Sequence, residues 1–325
     1  MIPYDENGFE QAVRTVLAPW LRDHVTGGTF TGFDGARIQY YKAEHPDAKA
    51  AVVMVHGFCE FFGKFHETAY DFHENGYSVY FLEQRGHGGS QRSVDEPDVV
   101  DVADFSDYVE DLKCFLDQVV LPQTSGQRLI LYAHSMGGCV GALFLERYPE
   151  YFYAAVLSSP MLRMSFRGNE EWKMKALAGA SRLPVLGGKL LPGMKRFDPD
   201  TPDFDGSGTS SRARFDYQFS IRKDPSTQGI YSMNAGTFRW GRAALKATIQ
   251  VMKHADRIRI PLLICQAGKD LYVDNEGQNE VARRAKHVKL VRFPQAKHEI
   301  YAADPDTLEK YYREVLKFFR KASTR

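Results

Sequence analysis

The sequence predicts an α/β protein: a mostly parallel, doubly wound sheet with a helical lid insertion. Short apolar runs alternate with longer segments of helical spacing, the rhythm of successive strand–helix–strand units. The runs are continuously apolar, as parallel strands covered on both faces must be. The rhythm stops at about Met161, is absent as far as about Arg239, and resumes at Pro261.

Taken in order, Tyr4 to Arg22 reads as a helix that leads into an antiparallel hairpin. There T-F-T-G-F-D-G-A-R-I-Q-Y-Y places the Asp34-Gly35 turn between alternating segments. The candidate central strands are Ala51–Val55, Tyr77–Leu82, Leu129–Ala133, Ala154–Leu157, Leu262–Cys265 and Val288–Phe293, all expected to be buried on both faces. Apolar residues recur with helical spacing over Phe65–Glu74, Phe105–Val120, Gly138–Arg147 and Leu308–Phe319. From Met161 to Arg239 helical pieces without a strand-like run give way to P-G-M-K-R-F-D-P-D-T-P-D-F-D-G-S-G-T-S-S, rich in residues of irregular structure. The expected division is a core of residues 1–160 and 240–325 and a lid of residues 161–239. Between Met161 and Asp200 the lid carries eight Lys/Arg and four Asp/Glu. That excess reads either as a solvated face or as a modest preference for anionic headgroups. No internal repeat is present.

Composition narrows the function. Hydrophobic residues at 43% and charged residues at 26% describe a globular chain. A formal charge of +1 gives no global field for nucleic acid or an anionic membrane. The N-terminal M-I-P-Y-D-E-N-G lacks the cationic-then-apolar layout of a secretory signal, so a cytoplasmic protein is expected. The longest stretch free of Asp, Glu, Lys and Arg, Leu129 to Leu145, is 17 residues and reads as a buried strand turning into a helix. The scattered Cys59, Cys114, Cys139 and Cys265 form no C-x-x-C and read as reduced core thiols.

The chemistry concentrates where predicted strands end. In L-Y-A-H-S-M-G-G-C-V, Ser135 lies between the strand L-I-L-Y-A and a helix, with Ala133 and Gly137 two residues to either side. Small-x-Ser-x-small in a strand–turn–helix setting is what a nucleophile elbow requires, because the turn admits only small side chains there. Read alone, the serine is equally a helix cap. The first central strand ends in H-G-F-C-E, His56 to Glu60, where a loop supplies an oxyanion N–H in such hydrolases. Here the donors would be the backbones of Phe58 and Met136. Q-A-G-K-D ends at Asp270 after a strand, and A-K-H-E places His298 after the next; Asp274 is a rival acid. The order Ser135, Asp270, His298 matches that of the fold. No H-E-x-x-H is present, and Gly57 to Lys64 has five residues between its glycines where a phosphate loop has four.

The motifs H-G-F-C-E-F-F-G-K-F-H, L-E-Q-R-G-H-G-G-S, A-H-S-M-G-G, Q-A-G-K-D-x-x-V and K-H-E-I resemble the lysophospholipase and monoacylglycerol-lipase branch of the α/β-hydrolase superfamily. The resemblance spans about residues 29 to 320 and is weakest in the lid. It implies the α/β-hydrolase fold and a Ser135–His298–Asp270 triad. It also implies a structural role for Arg85 to Gly88, which excludes His87 as the base. Ala133 for the elbow glycine and Gln84 before Arg85 are departures that remove no reacting group.

The implied reaction is acyl transfer from a carboxylic ester of a monoacyl lipid, lysophospholipid or monoglyceride, with no metal and no cofactor. His56, Cys59, Glu60, Met161 and Phe166 are the candidate substrate-binding residues. Met161, Leu162, Met164, Phe166, Trp172, Met174 and Leu177 either line an acyl channel or pack the lid's own core. Peripheral membrane contact through the lid goes with the first possibility. A small-substrate esterase or an aminopeptidase is the alternative within the fold. The peptidase would need a lid carboxylate, for which Glu170 and Glu171 are the clustered candidates. A non-catalytic binding protein of the same fold is the alternative from another class.

Overall fold

The computed structural model describes residues 5–165, 179 and 184–324. Among the described residues ten strands are present: β1 (Thr26–Thr31), β2 (Arg37–Ala43), β3 (Ala51–Val55), β4 (Ser78–Leu82), β5 (Val99–Val100), β6 (Leu129–His134), β7 (Ala154–Ser158), β8 (Ala235–Gly236), β9 (Leu262–Ala267) and β10 (Val288–Phe293). Eight form one sheet in the order β1-β2-β4-β3-β6-β7-β9-β10. The β1–β2 and β2–β4 pairs are antiparallel and all others in this sheet are parallel. Every residue of β3, β4, β6, β7 and β9 is buried. Alternate residues serve opposite layers: Val53, Val55, Leu129 and Leu131 join one core, and Val52, Met54, Ile130 and Tyr132 the other. The first core is closed by the helices Phe105–Phe115, Met136–Arg147 and Phe238–His254, the second by His66–Glu74 and Pro305–Thr324.

Several elements differ from expectation. The last strand, β10, is not fully buried: it is an edge strand, with Lys289 exposed on one face and Arg292 on the other. Lys289 is ion-paired to Glu314 of the C-terminal helix, which suits an edge that must not pair with another chain. The N-terminal helical stretch runs from Phe9 to His24 and includes a wider turn over Val13–Leu17. The hairpin at Asp34-Gly35 forms, with Thr31 opposite Arg37. The helix after the elbow begins at Met136, two residues earlier than its apolar spacing indicates.

Among its described residues, the segment between β7 and β9 adds no strand to the main sheet. It does contain β8, which pairs in parallel with β5 and was not legible as a strand because it has two residues. Its described helices include Pro184–Gly187, Arg212–Arg222 and Phe238–His254. Among the described residues no helix is long and apolar enough to cross a membrane.

Candidate active site

The loops after β3, β6, β9 and β10 leave the sheet at one edge, the carboxyl ends of its parallel strands, where open α/β sheets place functional groups. Because Val55 pairs with Ala133 and Phe293 with Ala267, these loops meet in neighbouring pairs.

Ser135 occupies the turn between β6 and the helix Met136–Arg147 with φ +52° and ψ −118°. This conformation is unfavourable for a residue with a Cβ and costs about 1–3 kcal/mol. It is held by the Ser135 N–H donating to the Ser158 carbonyl at 3.0 Å, and by its own carbonyl accepting from Gly138 (2.9 Å) and Met161 (2.8 Å). The turn explains its small neighbours. A methyl on Gly137 would lie 2.5 Å from the His56 carbonyl oxygen, and one on Gly138 2.5 Å from the Pro160 Cβ. Ala133 is tolerated because its single methyl faces open enough ground: even a methyl on the facing Gly141 would sit 3.4 Å from the Ala133 Cβ.

The structure brings all three sequence-predicted reacting groups together. His298 Nε2 lies 2.7 Å from Ser135 Oγ, and His298 Nδ1 lies 2.7 Å from Asp270 Oδ2. The other Asp270 oxygen accepts from the backbone N–H of Tyr272 (2.9 Å) and Val273 (3.1 Å), and the side chain is inaccessible to solvent. Burial alone would raise this carboxyl. The hydrogen bond and charge of His298, with the two backbone N–H groups, hold it below the usual carboxylate range. The rival Asp274 is otherwise engaged: it caps the helix Asn275–Arg284 through Glu276 N–H and pairs with Arg163 at 3.1 Å.

A methyl on Gly57 would lie 2.8 Å from the Ser135 Cβ, so the β3 loop lies directly against the serine. Among the described residues neither the Phe58 nor the Met136 N–H has an acceptor. Two backbone donors without acceptors, one in the β3 loop and one following the serine, suit an anionic oxygen. His56 sits beneath them as a fully buried neutral ring, pushed down to about 4 by burial. Its Nε2 accepts from Gln84 N–H at 2.9 Å, which leaves Nδ1 to donate to the Gly57 carbonyl at 2.7 Å. That carbonyl shares a peptide plane with the Phe58 N–H. Gln84, one of the departures from the family pattern, also donates its side-chain amide to the His56 carbonyl (2.7 Å).

The other candidate substrate-binding residues are placed differently. Glu60 is buried, and its carboxylate accepts from Gly57 N–H (2.5 Å) and Tyr301 Oη (2.7 Å), so it faces the protein. Cys59 is half-buried, has φ +57°, and donates its N–H to His87 Nε2 at 3.2 Å. His87 is thereby a structural acceptor. Met161 is buried beside the elbow. Phe166, Glu170, Glu171, Trp172, Met174 and Leu177 lie outside the described residues.

Three residues without an assigned role in the sequence complete the surroundings. Tyr301 stacks on Phe65 with centroids 4.5 Å apart. Lys64 pairs with Glu299 at 2.6 Å and lies 3.5 Å from Glu60. His134, buried and 4.9 Å from the His298 ring, is held neutral by burial and by that neighbour. Tyr301 and Lys64 sit inside the K-H-E-I-Y and E-F-F-G-K stretches, so spacing from His298 and Glu60 was the available signal. The loop Phe204–Ser211 fastens both the base and the acid segments. Gly208 carbonyl accepts from Glu299 N–H (2.8 Å), Gly206 carbonyl from Tyr272 Oη (2.7 Å), and Asp205 carbonyl from Lys297 Nζ (3.1 Å).

Known proteins resemble this chain in sequence and in fold. The family model described as serine aminopeptidase, S33, matches residues 46–306. The chain is 30% identical to lysophospholipase L2 of Escherichia coli over 314 residues, covering 96% of this chain and 87% of that protein. It is 29% identical to the monoacylglycerol lipase of Mycolicibacterium smegmatis, covering 84% and 90%. Among solved structures, a soluble variant of monoglyceride lipase from Saccharomyces cerevisiae superposes with a TM-score of 0.75 at 17% identity, covering 92% of this chain and 95% of that one. The chain therefore belongs to the α/β-hydrolase family described as serine aminopeptidase, S33, in its lysophospholipase- and monoacylglycerol-lipase-like branch.

Proposed function

We propose that this carboxylic-ester hydrolase cleaves the acyl ester of a monoacyl lipid, a lysophospholipid or a monoacylglycerol, with Ser135 as nucleophile. The observation that carries the reading is the unbroken path from Ser135 Oγ through His298 to a buried Asp270, two hydrogen bonds of 2.7 Å each. His298 Nε2 takes the hydroxyl proton as Oγ attacks the ester carbonyl. Asp270 fixes the ring with its Nδ1 proton inward and balances the imidazolium. The oxyanion forms against the N–H groups of Phe58 and Met136. His298 then gives its proton to the leaving alcohol, and the same base activates the water that releases the fatty acid. Residues 161–239 act as a cap over this site and as the part that meets a lipid surface. Similarity to the lysophospholipase and monoacylglycerol lipase above supports the substrate class.

The test is a substrate panel with the wild type and Ser135→Ala. It comprises p-nitrophenyl esters of increasing chain length, monoacylglycerols, lysophosphatidylcholine and aminoacyl amides. Monoacyl lipid turnover abolished in Ser135→Ala is expected. Activity confined to the amides overturns the lipid reading in favour of an aminopeptidase, and turnover that survives in Ser135→Ala overturns the nucleophile.

A further inference from the structure

We propose that Trp240 is a positioning residue for the oxyanion loop: by seating the Phe58 ring it keeps the Phe58 N–H aimed at the carbonyl oxygen that Ser135 attacks. The inference rests on the reading above, in which Ser135 is the nucleophile and the Phe58 N–H an oxyanion donor.

An oxyanion donor helps only if its direction is fixed before the charge forms. The Phe58 loop does not fix itself. The next residue, Cys59, has φ +57°, a conformation unfavourable for a residue with a Cβ, so the surroundings must impose it. Two histidines grip the backbone on either side of Phe58. His56 Nδ1 donates to the Gly57 carbonyl at 2.7 Å, and His87 Nε2 accepts from the Cys59 N–H at 3.2 Å. Each grip is one hydrogen bond, which leaves the peptide able to swing about that bond. The Phe58 side chain supplies the third point of attachment. Its ring centroid lies 4.0 Å from that of Trp240 at an interplanar angle of 33°, and His87 stands edge-on to it at 6.4 Å and 82°. Gly236 closes the seat: a methyl there would lie 3.0 Å from Phe58 Cζ and 3.0 Å from Trp240 Cε3.

Trp240 is itself firmly held. It is buried in the first turn of the helix Phe238–His254. Its N–H donates to Thr237 Oγ1 at 3.1 Å, and the Thr237 hydroxyl donates to the buried Asp101 Oδ1 at 2.5 Å. The same Asp101 oxygen accepts from Arg239 Nε at 3.0 Å. Thr237 N–H donates to the Val100 carbonyl (3.1 Å), which ties the turn to the β5–β8 pair, and the Gly236 carbonyl accepts from Leu191 N–H (2.9 Å). The indole N–H is buried and has no acceptor among the described residues, so what this side chain offers is ring surface. The loop that the ring holds lies against the serine, since a methyl on Gly57 would sit 2.8 Å from the Ser135 Cβ. Misplacing a group there by about 1 Å costs on the order of 10²-fold in rate.

The experiment measures kcat and KM for p-nitrophenyl butyrate in the wild type, W240L, W240F, F58A and the W240L/F58A double variant. Active sites are counted by fluorophosphonate titration carried to completion, so that misfolded protein does not enter the rates. W240L should lower kcat about 10- to 100-fold with KM within about threefold, because the donor matters most once the oxyanion forms. W240F keeps a ring and gives up no hydrogen bond, and should recover most of the loss. F58A keeps the backbone N–H but removes the ring through which Trp240 acts, so the double variant should fall no more than about twofold below F58A. The Ki of an alkyl trifluoromethyl ketone, whose serine adduct carries the oxyanion, should rise by the factor by which kcat/KM falls. If W240L yields no titratable sites, Gly236→Ala, which sets a methyl against both rings, replaces it in the cycle with the same expectation. A kcat per site within about threefold of wild type, or losses that multiply in the double variant, overturns the proposal. Turnover that survives in Ser135→Ala overturns the nucleophile reading beneath it, whereas multiplying losses in an enzyme silenced by Ser135→Ala overturn the Trp240 role alone.

Discussion

Asp270→Asn isolates the acid's role, because the surrounding bonds dictate how an asparagine must sit. Oδ1 accepts from two backbone N–H groups, Tyr272 and Val273, which an amide NH2 cannot replace. The Asn oxygen is therefore held on that side, and its NH2 is turned toward His298 Nδ1. An NH2 there donates, so Nδ1 must become the acceptor and the ring proton moves to Nε2. Nε2–H cannot take the Ser135 proton. The loss expected is on the order of 10⁴ in kcat, about 5.5 kcal/mol at 1.36 kcal/mol per decade. Hydrolysis of p-nitrophenyl butyrate and the rate of fluorophosphonate labelling should fall by similar factors. Stability carries a second signature. The Asp270 pKa is depressed in the folded state, so its contribution is present above the ordinary value of 3.8 and is lost as the pH falls through the lower folded value. Thermal melts of wild type and variant should thus differ at neutral pH and converge below about pH 4. An Asp270→Asn enzyme within tenfold of wild type would refute the tautomer argument.

Other perturbations follow from the same geometry. Gly137→Ala places a methyl 2.5 Å from the immobile His56 carbonyl, so thermal melts should show a loss of about 1–3 kcal/mol together with reduced turnover. Glu60→Ala leaves the Gly57 N–H and the Tyr301 hydroxyl unpaired in a buried place, about 1–3 kcal/mol for each group by denaturant titration. Glu60→Gln should recover part of that loss, because its oxygen can accept from Gly57 while the Tyr301 hydroxyl turns to accept from the amide. Glu146, raised to about 8 by burial, has an oxygen without a partner. A raised folded-state pKa means stability lost as pH rises from the ordinary value of 4.5 through about 8. Glu146→Gln should therefore raise Tm at pH 8.5 and leave it nearly unchanged at pH 4.5.

The three residues gathered at the site were legible because each follows a strand, and parallel strands deliver their carboxyl ends to one edge. Ala133 departs from the elbow glycine, but its smallness was legible in the sequence and the structure shows no clash at its methyl. The burial of β10 was misjudged although Lys289 and Arg292, three residues apart in a strand, already put a charge on each of its faces. The role of Glu60 was not legible: its acceptor duties come from Gly57 nearby and from Tyr301, which is 241 residues away.

The most direct test of the central claim is peptide mapping after brief exposure of the folded protein to a fluorophosphonate, with wild type, His298→Ala and Ser135→Ala side by side. The account predicts one adduct, on Ser135, formed at least a thousandfold more slowly in His298→Ala and absent in Ser135→Ala. An unlabelled Ser135 in active protein, or an adduct on another residue that tracks the loss of esterase activity, would contradict it.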